Sequence, residues 1–377
     1  MDKIIICPDS FKGSMSSTTV CSIIEKKAKY YFEEAEIVTL PIADGGEGTV
    51  DVLLTSVGGE KVYATCSGPN FETIETYYGA LDNKIAVIEL ASCSGLTLIK
   101  GEKDPSLTTT YGVGQLILDA AKKGFKEIIV ALGGSATNDG GSGAASAVGI
   151  KFLNKEGKSF IPTGKTLREV KSIDFSDKNP LLDGIKVTTM CDVANPLLGE
   201  NGASKVYSPQ KGATPDMVEL LEEGMRSYAE VVESSLKEEF KEIKGVGAAG
   251  GMGFGMVAFF NSTLEKGIDV VLDAYDFENH LKGASFVITG EGKFDNQSLE
   301  GKAVMGISRR SKEANVKVIA IVGDIGPNIE EAYQQGLSAI FSINRVAQDF
   351  EKVAHRSKED LELTVDNLFR FLKELAL

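Results

Sequence analysis

Aspartate, glutamate, lysine, hydroxyl residues and glycine gather in this chain where apolar runs end. Asp9, Ser10 and Lys12 follow the first such run, and Asp44 and Glu47 follow the second. Gly133, Gly134, Ser135, Thr137, Asn138 and Asp139 follow a third, and Asp192 with Asn195 a fourth. Glu291, Lys293, Asp295 and Ser298 follow a fifth. Phosphoryl transfer calls for this mixture: ligands for Mg²⁺, donors for the non-bridging phosphate oxygens, and a base or orienting group for the attacking hydroxyl. The aspartates and Glu291 supply the first, and glycine turns with Lys12, Lys211, Lys293 or Lys302 supply the second. An Asp at a strand end, such as Asp192, supplies the third. A single loop Asp or Lys is ordinarily a solvated or capping residue. Five polar loops on the same side of their strands are harder to explain that way.

The densest of these stretches is residues 133–143. It lies between the β-type run Ile128-Ile129-Val130-Ala131-Leu132 and the small-residue run Ala144-Ala145-Ser146-Ala147-Val148. A strand that turns into a helix through glycine and hydroxyl residues presents backbone N–H groups and the positive end of the helix dipole to an anion. Asp139 is a candidate to hold a metal ion or to support the turn. Gly250 and Gly251 form a second glycine turn, open to a nucleotide or to close helix packing.

These residues need strands and helices to carry them. Residues 3–7 read as a buried parallel strand, followed by a loop and a helix over 18–32. Residues 36–40 read as a second strand, which feeds the Asp44–Glu47 loop and a helix through Leu54. From 61 to about 90 the texture changes to short strands separated by Gly-Pro-Asn and Asp-Asn-Lys turns. A helix over 110–123, a strand over 185–190 and a long charged helix over 215–242 follow. The β-loop-α texture returns at 285–289, 316–322 and 338–343, before a final helix over 358–375. The expected fold is α/β: a flavodoxin-like parallel-sheet domain from both chain ends (1–60 plus 285–377), with a second α/β domain of mixed sheet inserted (61–284). Ligands of such sheets bind beyond the carboxyl ends of the strands, where all five polar loops fall.

Composition narrows the functions further. A chain of 377 residues holds about two domains, and 42% hydrophobic with 25% charged residues is ordinary globular content. A formal charge of −14 argues against a nucleic-acid surface. The five cysteines, Cys7, Cys21, Cys66, Cys93 and Cys191, show no CxxC spacing and read as thiols of a reducing compartment. No run has the length of a membrane span, so a cytoplasmic location is expected. His280 and His355 are the only two histidines, and neither is beside a glycine-rich loop. Histidine-based catalysis is therefore disfavoured, which leaves carboxylates and lysines. Thr163-Gly164-Lys165-Thr166 resembles the end of a Walker A loop, but Ser159 stands where the earlier glycine is required. Gly245-Val246-Gly247-Ala248-Ala249-Gly250 matches GxGxxG but follows a polar helix instead of a strand.

Seven motifs in order resemble those of the bacterial type I glycerate kinases. They are Pro8-Asp9-Ser10-Phe11-Lys12, Ala43-Asp44-Gly45-Gly46-Glu47-Gly48-Thr49, Gly133 through Gly141, Cys191-Asp192-Val193-Ala194-Asn195-Pro196-Leu197, Pro209-Gln210-Lys211-Gly212-Ala213, Gly247 through Gly253, and Thr289 through Asp295. The resemblance runs from Lys3 to beyond Ile343. It implies phosphorylation of D-glycerate by ATP with Mg²⁺, 2-phosphoglycerate as the product, and two domains with a cleft between them. On this reading Asp192, Lys293 and Asp295 are catalytic candidates, with Asp192 as the base. Ser10, Lys12, Asp44 and Glu47 are substrate ligands, and Gly133, Gly134, Ser135, Thr137, Asn138, Gly250 and Gly251 bind the nucleotide. Asp139 and Glu291 are the metal candidates. Lys293 stands where arginine is common in that family, Gly13 where glutamate is, Ala303 where proline is, and Tyr111 where some members carry arginine. A kinase for another small hydroxy acid, a phosphatase of related geometry, and a non-catalytic sensor of a phosphorylated metabolite are the competing readings. The partners expected are glycerate and ATP, with no nucleic acid and no membrane, in a monomer or homo-oligomer.

Overall fold

Ile4, Ile5 and Ile6 are wholly buried, as a β-branched run covered on both faces should be. The computed structural model describes residues 2–43, 45–46, 48–82, 84–299, 302–327, 329–346, 348 and 350–375. It divides into two compact units, Met1–Asp44 with Lys266–Leu377, and Gly45–Glu265.

In the first unit, strand Lys3–Ile6 pairs in parallel with Glu36–Thr39 on one side and Phe286–Thr289 on the other. Lys317–Val322 and Leu337–Ser342 extend the same sheet, also in parallel. Counted along the unit, the strand order is 2-1-3-4-5, the flavodoxin-like order. Alternate residues Ile4, Ile6, Phe286, Ile288, Ile319 and Ile321 share one core with helices Ser17–Tyr31 and Ser357–Glu374. Val20, Ile24 and Ala28 at helical spacing meet Leu361, Val365 and Leu368 there. The Ser16 hydroxyl caps the first helix by accepting from the Thr19 N–H at 3.2 Å.

In the second unit, four strands run parallel in the order Thr263–Glu265, Lys186–Met190, Glu127–Ala131 and Ile85–Glu89. Thr73–Leu81 and Gly59–Ser67 close the sheet as an antiparallel ribbon. Each is a nine-residue strand, longer than the short strands that the sequence suggests. A three-stranded antiparallel sheet, Lys151–Leu153 with Ser159–Phe160 and Ser172–Asp174, has no counterpart in the sequence reading. Glu89, Ala131, Met190 and Glu265 stand in register, so the loops after them leave from one edge.

Among the described residues, helices Thr49–Val57, Gly267–Ala274 and Phe277–Leu281 lie in the other unit than the expected domain bounds assign them. Thr49–Val57 belongs to the second unit, where Val50 and Leu54 lie against Gly79 and the Val50 N–H reaches Glu89 at 2.7 Å. Gly267–Ala274 belongs to the first, where Ile268 faces Gly306 and Asp269 meets Arg309 at 2.8 Å.

Close backbone packing supports the central loop of the second unit. Helix Tyr111–Lys122 lies so near helix Ser142–Ala147 that a Cβ on Gly114 would stand 2.2 Å from the Ala144 carbonyl oxygen. Alanine ordinarily gains about 1 kcal/mol over glycine inside a helix, but here it meets backbone that cannot rotate away. Gly114→Ala is therefore expected to destabilise the chain by about 2 kcal/mol, measured by urea unfolding. A midpoint at or above that of the parent would show that the two helices separate readily.

Candidate active site

The loop after Glu127–Ala131 is built around a buried carboxylate. Asp139 Oδ2 accepts from the Thr110 N–H at 2.7 Å, the Thr110 hydroxyl at 2.9 Å and the Gly143 N–H at 3.3 Å. Oδ1 accepts from the Gly141 N–H at 3.1 Å. Burial holds the Asp139 carboxyl above its ordinary range, against the pull of these four bonds. Of the two roles open to Asp139, metal ligand or turn support, its bonds here are those of turn support.

The N–H groups expected to face an anion are partly spent inside the fold. Gly133 donates to the Gly45 carbonyl at 3.1 Å, Ala136 to Ser94 at 2.9 Å and Gly140 to Gly250 at 3.1 Å. The helix that follows, Ser142–Ala147, has six residues, so its dipole is short. The accessible part of the loop is Gly133 to Ser135: Gly134 is exposed and its two neighbours half-buried, whereas Thr137, Asn138 and Asp139 are buried.

Behind that open stretch lies Lys211, only 1% exposed. Its ammonium donates to Ser135 Oγ at 2.7 Å and to the Thr137 carbonyl at 2.7 Å. Burial lowers its pKa to about 7, and Asp139 counteracts part of that fall. The sequence offers Lys211 as one of four donor lysines and gives no sign of its burial, because a single Lys between Pro209 and Gly212 carries no periodicity. Thr137 Oγ1 and Asn138 Oδ1 are buried with no hydrogen-bond partner among the described residues, while the Asn138 amide donates to Ser204 at 3.2 Å.

Gly250 and Gly251 are buried against this loop. Ala249, Gly250 and Gly251 take left-handed φ values of 53°, 68° and 82° at the start of Ala248–Phe260. A Cβ on Gly250 would stand 2.0 Å from the Thr137 carbonyl oxygen. The turn brings two pieces of backbone together at the base of the loop. Asp192 is exposed just beyond strand Lys186–Met190, on the same edge of the sheet. Its surroundings are tied down: the Cys191 thiol donates to the Gly245 carbonyl at 3.4 Å, and the Tyr207 hydroxyl to Asn195 Oδ1 at 2.6 Å. Gly45 also lies on this edge, against Met190. Asp44 and Glu47 themselves lie outside the described residues.

In the first unit the carboxyl ends of Lys3–Ile6 and Phe286–Thr289 bring together Asp9, Glu291 and Asp295. The Asp9 N–H donates to the Gly290 carbonyl at 2.8 Å, and Gly323 donates to the Glu291 carbonyl at 3.0 Å. Glu291 is 7% exposed, and its Oε1 has no hydrogen-bond partner among the described residues. Burial pushes its carboxyl up to about 7; Asp9 and Asp295 add to the shift, and Ser298 and Lys302 oppose it. Ser10 is half-buried, with its N–H on Asp9 Oδ1 at 2.5 Å, and Lys12 and Lys293 are exposed. Among the described residues no group of three or more His, Cys, Asp or Glu forms a metal cage. Mg²⁺ commonly takes one or two carboxylates and completes its shell with water and phosphate, so that absence leaves Glu291 a suitable ligand.

The Glu291 carboxyl has a stability consequence. Its folded-state pKa lies above the unfolded value of 4.5, so stability is greatest below 4.5 and falls as pH rises through about 7. Above that pH both states are ionised and the folded chain bears the full cost of a buried charge. Glu291→Gln is therefore expected to stabilise the metal-free protein at pH 8 by about 3 kcal/mol and to do little at pH 4, as thermal unfolding at the two values would show. Equal effects at both would remove the buried-charge explanation.

A family model for the glycerate kinase family matches residues 4–373. This chain belongs to the glycerate kinase family. Among members of that family, the Bacillus cereus glycerate kinase is 42% identical over 368 residues, covering 97% of each chain. The glycerate 2-kinase of Escherichia coli K12 is 41% identical over 343 residues, 90% of each. A Salmonella typhimurium LT2 crystal structure, described provisionally as glycerate kinase 2, superposes with a TM-score of 0.88 at 37% identity. That match covers 99% of this chain and 98% of the other. Among the described residues of this glycerate kinase family member, no helix is long and apolar enough to cross a membrane.

Proposed function

We propose that this chain is a glycerate kinase that transfers the γ-phosphoryl group of ATP to a hydroxyl of D-glycerate, giving 2-phosphoglycerate. The observation that carries this reading is its end-to-end similarity, over 97% of both chains, to a curated glycerate kinase. The relative named glycerate 2-kinase supports the 2-position. The site chemistry agrees with the proposal: a glycine loop open at Gly134 and backed by a buried ammonium suits phosphate oxygens, which attract fixed donors.

Within this reading Ser135 and Gly134 receive phosphate, while Gly133, Thr137, Asn138, Gly250 and Gly251 shape the loop around it. Asp192 accepts the proton of the attacking hydroxyl. Glu291, whose buried Oε1 has no hydrogen-bond partner among the described residues, would hold Mg²⁺, which when bound would supply positive charge to the phosphoryl group. Asp295 orients that region and Lys293 adds a positive charge. Ser10 and Lys12 hold the glycerate carboxylate, and Asp44 and Glu47 its hydroxyls. Asp139 holds the loop in shape.

The test is Mg²⁺-dependent ADP release measured with D-glycerate, L-glycerate, glycolate and lactate in turn. Release that requires D-glycerate is expected. Release with another hydroxy acid alone would discard the substrate and keep the kinase. Nucleotide binding without release under any condition would favour the sensor.

A further inference from the structure

Ser135 is more than another hydroxyl in a glycine loop, because of what stands behind it. An ammonium has three N–H donors and no acceptor. In the 2.7 Å bond between Lys211 and Ser135, the serine oxygen is therefore the acceptor. A hydroxyl has one proton, and this bond leaves it unused. Ser135 lies half-buried beside exposed Gly134, on the open side of the loop.

We propose that Lys211 is a positioning residue for phosphate recognition: its ammonium fixes the Ser135 oxygen as an acceptor, so that the Ser135 proton is left to donate to a phosphate oxygen of the nucleotide. The inference rests on the reading of Ser135 as a phosphate ligand and adds the group that sets its polarity. The second Lys211 bond, 2.7 Å to the Thr137 carbonyl, ties the ammonium to the same loop two residues on. Its own backbone is held in the turn Pro209–Lys211, closed by Gly212 at a φ of 100° beside the Lys103 carbonyl.

The charge of Lys211 also responds to a ligand. Desolvation brings its pKa down to about 7, with Asp139 as the ionised neighbour that opposes the fall. Among the described residues Tyr228 also interacts with Asp139, and its buried phenol stays neutral. In the free protein the ammonium is lost as pH rises through about 7, so above that pH the Ser135 oxygen is fixed as an acceptor only once the phosphate has restored the charge. An arriving phosphate favours the charged form, so binding above that pH takes up a proton.

The test is a double-mutant cycle of Lys211→Met and Ser135→Ala, reading KM for ATP, KM for D-glycerate and kcat. Each single change is expected to raise KM for ATP about tenfold, with KM for D-glycerate little moved. The double variant is expected to stay within about twofold of Ser135→Ala, because groups that act through one another are non-additive. Lys211→Arg, which keeps the charge, should give back part of the loss. A double variant about a hundredfold impaired, the product of the single effects, would overturn the inference and leave Ser135 as a ligand. Ser135→Ala with parental KM would overturn the phosphate role of Ser135, and the inference with it, even where glycerate-dependent turnover persists. Wild-type calorimetry covers the case of a variant that does not fold. At pH 8, MgATP binding should take up protons, seen as heats that differ between two buffers of unlike ionisation enthalpy, and identical heats would contradict the proposal.

Discussion

Asp192→Asn is expected to lower kcat by about 10²–10⁴-fold and to leave the dissociation constant of MgATP nearly unchanged. The size expected follows from replacing the proposed base with an isosteric amide that cannot take a proton. The specificity of the loss follows from the surroundings. Asp192 is exposed at the end of a central parallel strand, where Met190 is paired to Ala131 on one side and Glu265 on the other. The following residues are anchored independently, by Tyr207 on Asn195 and by the Asn195 amide on the Asn201 carbonyl at 2.8 Å. The substitution should therefore alter the chemistry without moving the loop. Rapid-quench measurement of the chemical step, with equilibrium binding on the same preparation, reads both quantities. Turnover near that of the parent would remove Asp192 as the base.

Gly250→Val should cost about 4 kcal/mol or prevent accumulation of soluble protein. Two causes act together. The φ of 68° is one that a β-branched residue adopts at considerable cost, and the new Cβ would stand 2.0 Å from the Thr137 carbonyl oxygen and 2.7 Å from the Asn138 Cα. Both contacts are to backbone, so no side-chain rotation relieves them. The displaced carbonyl is also the one that accepts from Lys211, so surviving protein should bind nucleotide poorly. Gly250→Ala keeps the clash and lessens the φ penalty, and should fall between. A valine variant with the parent's urea midpoint would show that the loop yields easily.

Much of the scaffold was legible because apolar runs and their period are long-range signals. Residues 3–7 and 128–132 read as strands, and the structure has Lys3–Ile6 and Glu127–Ala131. The helix expected over 18–32 is Ser17–Tyr31, capped by Ser16. The flavodoxin-like order could be read because β-loop-α texture appears at both chain ends and is interrupted between them. The helix expected over 215–242 ends sooner, at Leu236, where Lys237 turns left-handed and charge alone gives no stop signal.

The site was legible as a set of residues and much less as an arrangement. Loops at the carboxyl ends of parallel strands follow from topology, so Asp192, Glu291 and the Gly133 stretch stand where expected. What no pattern could report was burial. Asp139 and Lys211 look like ordinary loop charges in the sequence, yet both are buried beside Thr137, and Asp139 carries four internal hydrogen bonds. Such burial depends on contacts between residues 29 or 76 apart, as between Thr110 and Asp139 or Ser135 and Lys211, and local propensity is blind to them.

The most direct measurement is phosphorus NMR of the products that the purified chain forms from ATP, Mg²⁺ and D-glycerate. The expected spectrum shows ADP and 2-phosphoglycerate in equal amounts, with neither forming when D-glycerate is omitted. ADP with inorganic phosphate, formed whether or not glycerate is present, would contradict a glycerate kinase and make the chain an ATP hydrolase.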